Sequence, residues 1–155
     1  MPIGFAILSL NTPICTLLSG DPDTEQGLRG MPGQVTRFCA PYCLFIFCVN
    51  SLISGVYLMC WQLRNGGVGY RELLTAVLFA LQSAMFSVGL EWLRPLRGWK
   101  VETDLWHHPR KYLVPAVMML LAGVMGLWPG AVWAWLGLMV AEVVSLTAFA
   151  RRIRK

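Results

Sequence analysis

Residues 38–63 read FCAPYCLFIFCVNSLISGVYLMCWQL, without one Asp, Glu, Lys or Arg. A helix over this stretch extends about 39 Å at 1.5 Å per residue, more than the roughly 30 Å of a bilayer's hydrocarbon core. A surface helix of a soluble protein carries a polar face opposite its apolar one. This stretch has no charge with which to build one. It is expected to be a membrane-spanning helix.

Working outward, three more apolar stretches follow, at about residues 72–93, 112–128 and 130–150, the third of the four spans only just long enough. The last two are joined by Trp128, Pro129 and Gly130, a tight turn that makes them an antiparallel hairpin. The whole chain agrees: of 155 residues, 56% are hydrophobic and 14% charged, and mean hydropathy is +0.57. A soluble domain has about 45–50% apolar and about 25% charged residues. This composition excludes an ordinary soluble domain, a disordered chain and a nucleic-acid-binding domain. The expected fold class is all-α, a polytopic transmembrane helical bundle of four spans.

Upstream, residues 1–19 are apolar but interrupted by Asn11, Thr12 and Pro13, a marginal span. Residues 20–37 are polar and rich in Gly and Pro, and read as a flexible linker. Met31 within it offers an alternative translation start. No Lys or Arg occurs in residues 1–28, so the positive region of a secretory signal is missing. Residues 38–155 form the single transmembrane domain. No inverted repeat of the kind that builds many transporters is visible. Five cysteines, four of them inside the first span, read as small buried hydrophobes rather than a disulfide framework.

Net charge is +5, and its distribution orients the bundle. Arg29, Arg37, Arg94, Arg97, Lys100, Arg110, Lys111, Arg151, Arg152, Arg154 and Lys155 fall on one side of a four-span topology, and only Arg64 and Arg71 on the other. The positive-inside rule makes the richer side cytoplasmic, the C-terminus included, in a cell inner membrane. Aromatics form two belts on the same topology: Trp61, Tyr70, Trp128, Trp133 and Trp135 outside, Trp92, Trp99, Trp106 and Tyr112 inside. Each is read as an interface anchor.

Three polar residues interrupt the spans: Asn50, Gln82 and Glu142. Counted from the cytoplasmic boundaries they lie roughly 13–18 Å deep. Burying such groups unpaired is costly, so they are expected to face one another as an intramembrane polar cluster. Glu142 reads as a proton or cation site, as a protonated acid that bridges helices, or as the mate of a basic residue on another subunit. In the third span, Ala116, Ala122, Gly123 and Gly126 offer small residues for close helix packing. Met118, Met119 and Met125 there read as lipid-facing or core filler.

The second polar feature is the cytoplasmic segment 91–111, an amphipathic stretch between Pro-broken helices. Its Arg94, Arg97, Lys100, Arg110 and Lys111 are placed to meet anionic lipid headgroups. Glu102, Asp104, His107 and His108 are the candidates for metal or acid–base chemistry there, with Cys39 and Cys43 as possible fellow ligands. Adjacent histidines point in different directions, and no His-Glu-x-x-His motif is present. No metal and no cofactor is expected. P-loop, dinucleotide-binding and serine-hydrolase motifs are all missing.

Three functions fit. The first is a small integral subunit or partner of a larger membrane assembly of transport type. The second is a stand-alone oligomeric transporter coupled to protons or cations through Glu142. The third is a membrane enzyme acting on lipid headgroups through residues 102–111. The expected partners are membrane lipids and other membrane subunits or further copies of the chain, not nucleic acid.

Overall fold

The computed structural model of the chain describes residues 1–10, 19, 22–30, 33, 35–93, 110–128 and 130–153; side chains are described for these except at 22, 25, 29, 35, 36, 93, 110, 111 and 145–153. All regular structure among the described residues is helical. The elements are α1 (Pro2–Leu8), α2 (Pro22–Gly30), α3 (Ala40–Asn65), α4 (Tyr70–Leu93), α5 (Arg110–Leu127) and α6 (Ala131–Ile153), with a π-helical turn, Val35–Cys39, leading into α3. The last four match the four apolar stretches to within three residues. Two helices, Arg37–Asn65 and Tyr70–Trp92, are long and apolar enough to cross a membrane.

Local chemistry sets the ends. Gly66 and Gly67 stop α3 with φ of +68° and +74°, where a Cβ would be strained. The Gln62 side-chain oxygen then accepts the Val68 N–H at 2.9 Å. Glu72, in the first turn of α4, reaches back to the Gly69 N–H at 2.9 Å and satisfies a donor the helix leaves open. At the hairpin, Ala131 N–H donates to the Trp128 carbonyl at 3.0 Å.

Helix α4 is the hub. It packs against α3, α1, α5 and α6, whereas α3 touches chiefly α4 and α1. Its small side chains allow that crowding: Ala76, Ala80 and Ala84, spaced every fourth residue, are all buried. The glycines expected to serve this purpose do not. A Cβ at Gly123 or Gly126 would meet nothing within 4 Å, and of the small residues picked out in that span only Ala122 lies in the core. Met118 and Met125 are core residues, while Met119 is exposed.

The N-terminal region departs most from expectation. Within residues 1–19 the helix α1 has only seven residues, about 10 Å, too short to cross by itself. It is inserted into the bundle instead. Phe5 and Ala6 are wholly buried. The Phe5 ring stands edge-on to Tyr57 at 5.6 Å and tilts against Phe79 at 6.4 Å. Gly4 makes room, since a Cβ there would lie 2.8 Å from the Tyr57 hydroxyl. A chain begun at Met31 would lack these core residues. Residues 22–30, expected as part of a linker, are helical. Pro22 at the first helical position and Asp23 in the first turn are helix-start signals that the Gly content obscured.

Candidate functional site

At mid-height of α4, Gln82 joins two residues of α6. Its amide nitrogen donates to Glu142 Oε2 at 3.2 Å, and its amide oxygen accepts the Trp135 indole N–H at 3.1 Å. The amide has one acceptor end and one donor end, and each meets a matching partner: the indole N–H donates to the oxygen, and the carboxyl oxygen accepts from the nitrogen. Trp135 and Glu142 are seven residues apart, two turns along one face of α6. Phe79, one turn before Gln82 and wholly buried, meets the Trp135 ring edge-on at 4.8 Å. An interhelical hydrogen bond in a membrane contributes about 0.6 kcal/mol on average and up to about 1.7. The aromatic pair adds about 0.5–1.5 kcal/mol beyond its buried area.

Of the three residues expected to face one another, Asn50, Gln82 and Glu142, the last two are joined by this hydrogen bond. Asn50 is wholly buried on the inner face of α3, in line with Ile46, Ser54 and Leu58. Glu142 is only half-buried, and its one hydrogen bond among the described residues is that to Gln82. The other oxygen has no hydrogen bond among the described residues. Beyond it α6 exposes Ala141, Leu138 and Ala134.

Trp135 corrects the reading of the tryptophans. It is 5% exposed, in the core and hydrogen-bonded, not an interface anchor. Tyr70, Trp128 and Trp133 stay exposed. The only signal for Trp135 was its seven-residue spacing from Glu142. Glu91 is a second correction: assigned to the surface segment, it is 1% exposed in the last turn of α4 and accepts the Ser19 N–H at 2.6 Å. Ser83, adjacent to Gln82, turns to a different side and donates to the Ser9 carbonyl. Successive residues on a helix point about 100° apart, so α4 serves α6 with one polar side chain and the N-terminal segment with the next.

Arg94, Arg97, Lys100, Glu102, Asp104, His107 and His108 lie outside the described residues. Arg110 and Lys111 open α5, and their side chains lie outside the description. Cys39 and Cys43, near the start of α3, form no disulfide among the described residues. Among the described residues no group of three or more His, Cys, Asp or Glu is arranged to hold a metal ion.

No family model matches the chain, and no curated protein or solved structure is similar to it.

Proposed function

We propose that the chain is a multi-pass integral membrane protein that works as a subunit of a larger, transport-type membrane assembly. One observation carries this reading. Glu142, halfway along α6, has one carboxylate oxygen held by Gln82 and the other without a hydrogen bond among the described residues, beside an exposed apolar face. An ionisable group at that depth needs a partner, because hydrocarbon offers none. A donor on a neighbouring subunit supplies it.

The topology proposed with it is four-span, α3 to α6, with Lys155 in the cytoplasm. Support comes from the sorting of the basic residues, eleven on one side against Arg64 and Arg71 on the other. At 18 and 23 residues, α5 and α6 extend about 27 and 35 Å. The wide apolar exterior of α3, with Leu44, Phe45, Leu52, Met59 and Leu63 exposed, suits a lipid-facing or subunit-facing surface.

Extraction in a mild detergent followed by native mass spectrometry tests the proposal. It should show the chain in a fixed ratio with another membrane polypeptide. A Glu142→Gln variant retains a hydrogen-bonding side chain and should still assemble. A chain that is monomeric in every native extract overturns the reading. If Glu142→Gln assembles with nothing and abolishes proton- or cation-driven flux by the purified protein, the stand-alone transporter takes its place; the mid-span position of the acid is what favours that alternative.

A further inference from the structure

The first residues of the chain meet α4 in sequence order. The Phe5 ring tilts against Phe79 at 6.4 Å. The Ser9 carbonyl accepts from the Ser83 hydroxyl, and the Ser19 N–H donates to Glu91 Oε1 at 2.6 Å. Phe79, Ser83, Ser87 and Glu91 recur every fourth residue, so they form one slanting ridge along α4, and all four are buried. Ser9 and Ser83 are 74 positions apart in sequence, as are Phe5 and Phe79, and Ser19 and Glu91 are 72 apart. The N-terminal chain therefore runs parallel to α4 and advances beside it almost residue for residue.

That register sets the level of both ends. The Phe5 N–H donates to the Met1 carbonyl at 3.3 Å, so the turn of α1 reaches back to Met1. Continuing the register puts Met1 level with Thr75, about 8 Å along α4 from Tyr70. Ser19 is level with Glu91, close to the Leu93 end of α4. About 24 Å of helix separates these two levels, against roughly 30 Å for the hydrocarbon core. Composition changes at the same place. Residues 1–19 contain no Asp, Glu, Lys or Arg, and Asp21 and Asp23 follow directly. Asn11, Thr12 and Pro13 are poor residues for a continuous helix in lipid. Backbone of that kind is tolerated at membrane depth where protein encloses it. Ser83 and Glu91 bond to the main chain on either side of those three residues.

We propose that residues 1–19 are a fifth membrane crossing, laid along the Ser83–Ser87–Glu91 ridge inside the bundle, with Met1 on the opposite face of the membrane from Lys100 and Lys111. Ser83 and Glu91, polar and buried in an otherwise apolar helix, have their use in this crossing: they hold its main chain at two levels about 12 Å apart. Helices α3, α4 and α5 all touch α1, so its place is among the other helices and not against lipid. The naming of sides rests on the four-span topology proposed above. With Lys155 in the cytoplasm, the Met1 amine lies at the outer headgroups, beside the Gly66–Gly69 turn, where its charge stays hydrated.

Amine labelling tests this on the unaltered chain, whose side-chain amines are Lys100, Lys111 and Lys155. A membrane-impermeant succinimidyl ester is applied to sealed right-side-out vesicles and, separately, to inverted ones, and the labelled peptides are read by mass spectrometry. In right-side-out vesicles the Met1 amine should carry the label and the three lysines none. Inverted vesicles should give the reverse. Met1 labelled from the same side as Lys100 and Lys111 overturns the crossing. The four-span topology fails by a different sign, Lys155 labelled from the side opposite Lys111, and the comparison of Met1 with Lys100 still judges the crossing. Met1 labelled only in inverted vesicles, with the lysines labelled only in right-side-out ones, keeps the crossing and reverses the orientation of the bundle. If the Met1 amine reacts from neither side, an epitope placed before Met1 decides. Its proteolytic removal from the side that labels Lys100 overturns the crossing, and removal from the other side supports it.

Discussion

Helices α3 and α4 are neighbours of nearly equal length and apolar character, yet the bundle treats them oppositely. Of the most apolar 18-residue window in each, 22% is buried inside the bundle for α3 and 56% for α4. Side-chain size explains the difference. Helix α4 carries Ala76, Ala80, Ala84, Ser83 and Ser87 on its buried surface, so four neighbours can approach it. Helix α3 carries large aliphatic and aromatic side chains outward and only a narrow stripe of Ile46, Asn50, Ser54 and Leu58 inward. Hydropathy says that a helix avoids water. It does not say whether the helix does so among other helices or among lipid tails, and residue volume is what separates the two.

Substitutions matched between the two helices can break this contrast. The largest effect is expected from Phe79→Ala in α4, which opens a cavity beneath Trp135 and Phe5 and should cost about 3–5 kcal/mol. Its counterpart Leu52→Ala, on the exposed side of α3, should stay within about 0.5 kcal/mol. Equilibrium unfolding in mixed micelles measures both, and comparable losses would mean that α3 is enclosed after all. Next comes enlargement. Ala84→Leu should cost about 1–3 kcal/mol by overpacking. Gly55→Leu on α3 has open space around its Cβ and should gain up to about 1 kcal/mol from helix propensity. The same unfolding experiment reads both, and a loss at Gly55 would mark a helix–helix contact on α3. The smallest effect is polar. Trp135→Phe keeps an aromatic ring beside Phe79 but removes the N–H that Gln82 accepts, and should cost about 1 kcal/mol. Trp61→Phe on α3, whose ring contact with Tyr57 survives the change, should be near neutral. Tryptophan fluorescence during unfolding follows both.

Much of the helical layout was legible in the residues. The four apolar stretches matched α3 to α6 because hydrophobic length is additive along a chain and needs no knowledge of neighbours. Gln82 and Glu142 were legible as members of a polar cluster with Asn50, because all three lie inside apolar stretches; which of them bond to one another was not. Trp135 was not, because an indole suits an interface and an interior equally, and only its hydrogen bond to Gln82 decides between them. Glu91 was misread for a related reason. A charged residue at a helix end reads as a boundary, and nothing local tells that the backbone of Ser19, 72 positions away in sequence, satisfies it. The insertion of α1 was hidden by Asn11, Thr12 and Pro13, which weaken a span without excluding a half-helix that is buried by others.

The sequence by itself determined that this is a chain of apolar helices, where those helices start and stop, and where along them the few polar residues fall. Each of these follows from the residues in order along one axis. Only the tertiary structure decided that α4 is the hub, that Gln82 turns to α6 while Ser83 turns to Ser9, and that Phe5 and Ala6 of α1 are buried in the core. Those outcomes depend on how each helix is rotated about its own axis. Rotation is set by which side chains of different helices fit and bond together, a property of pairs that no single stretch contains.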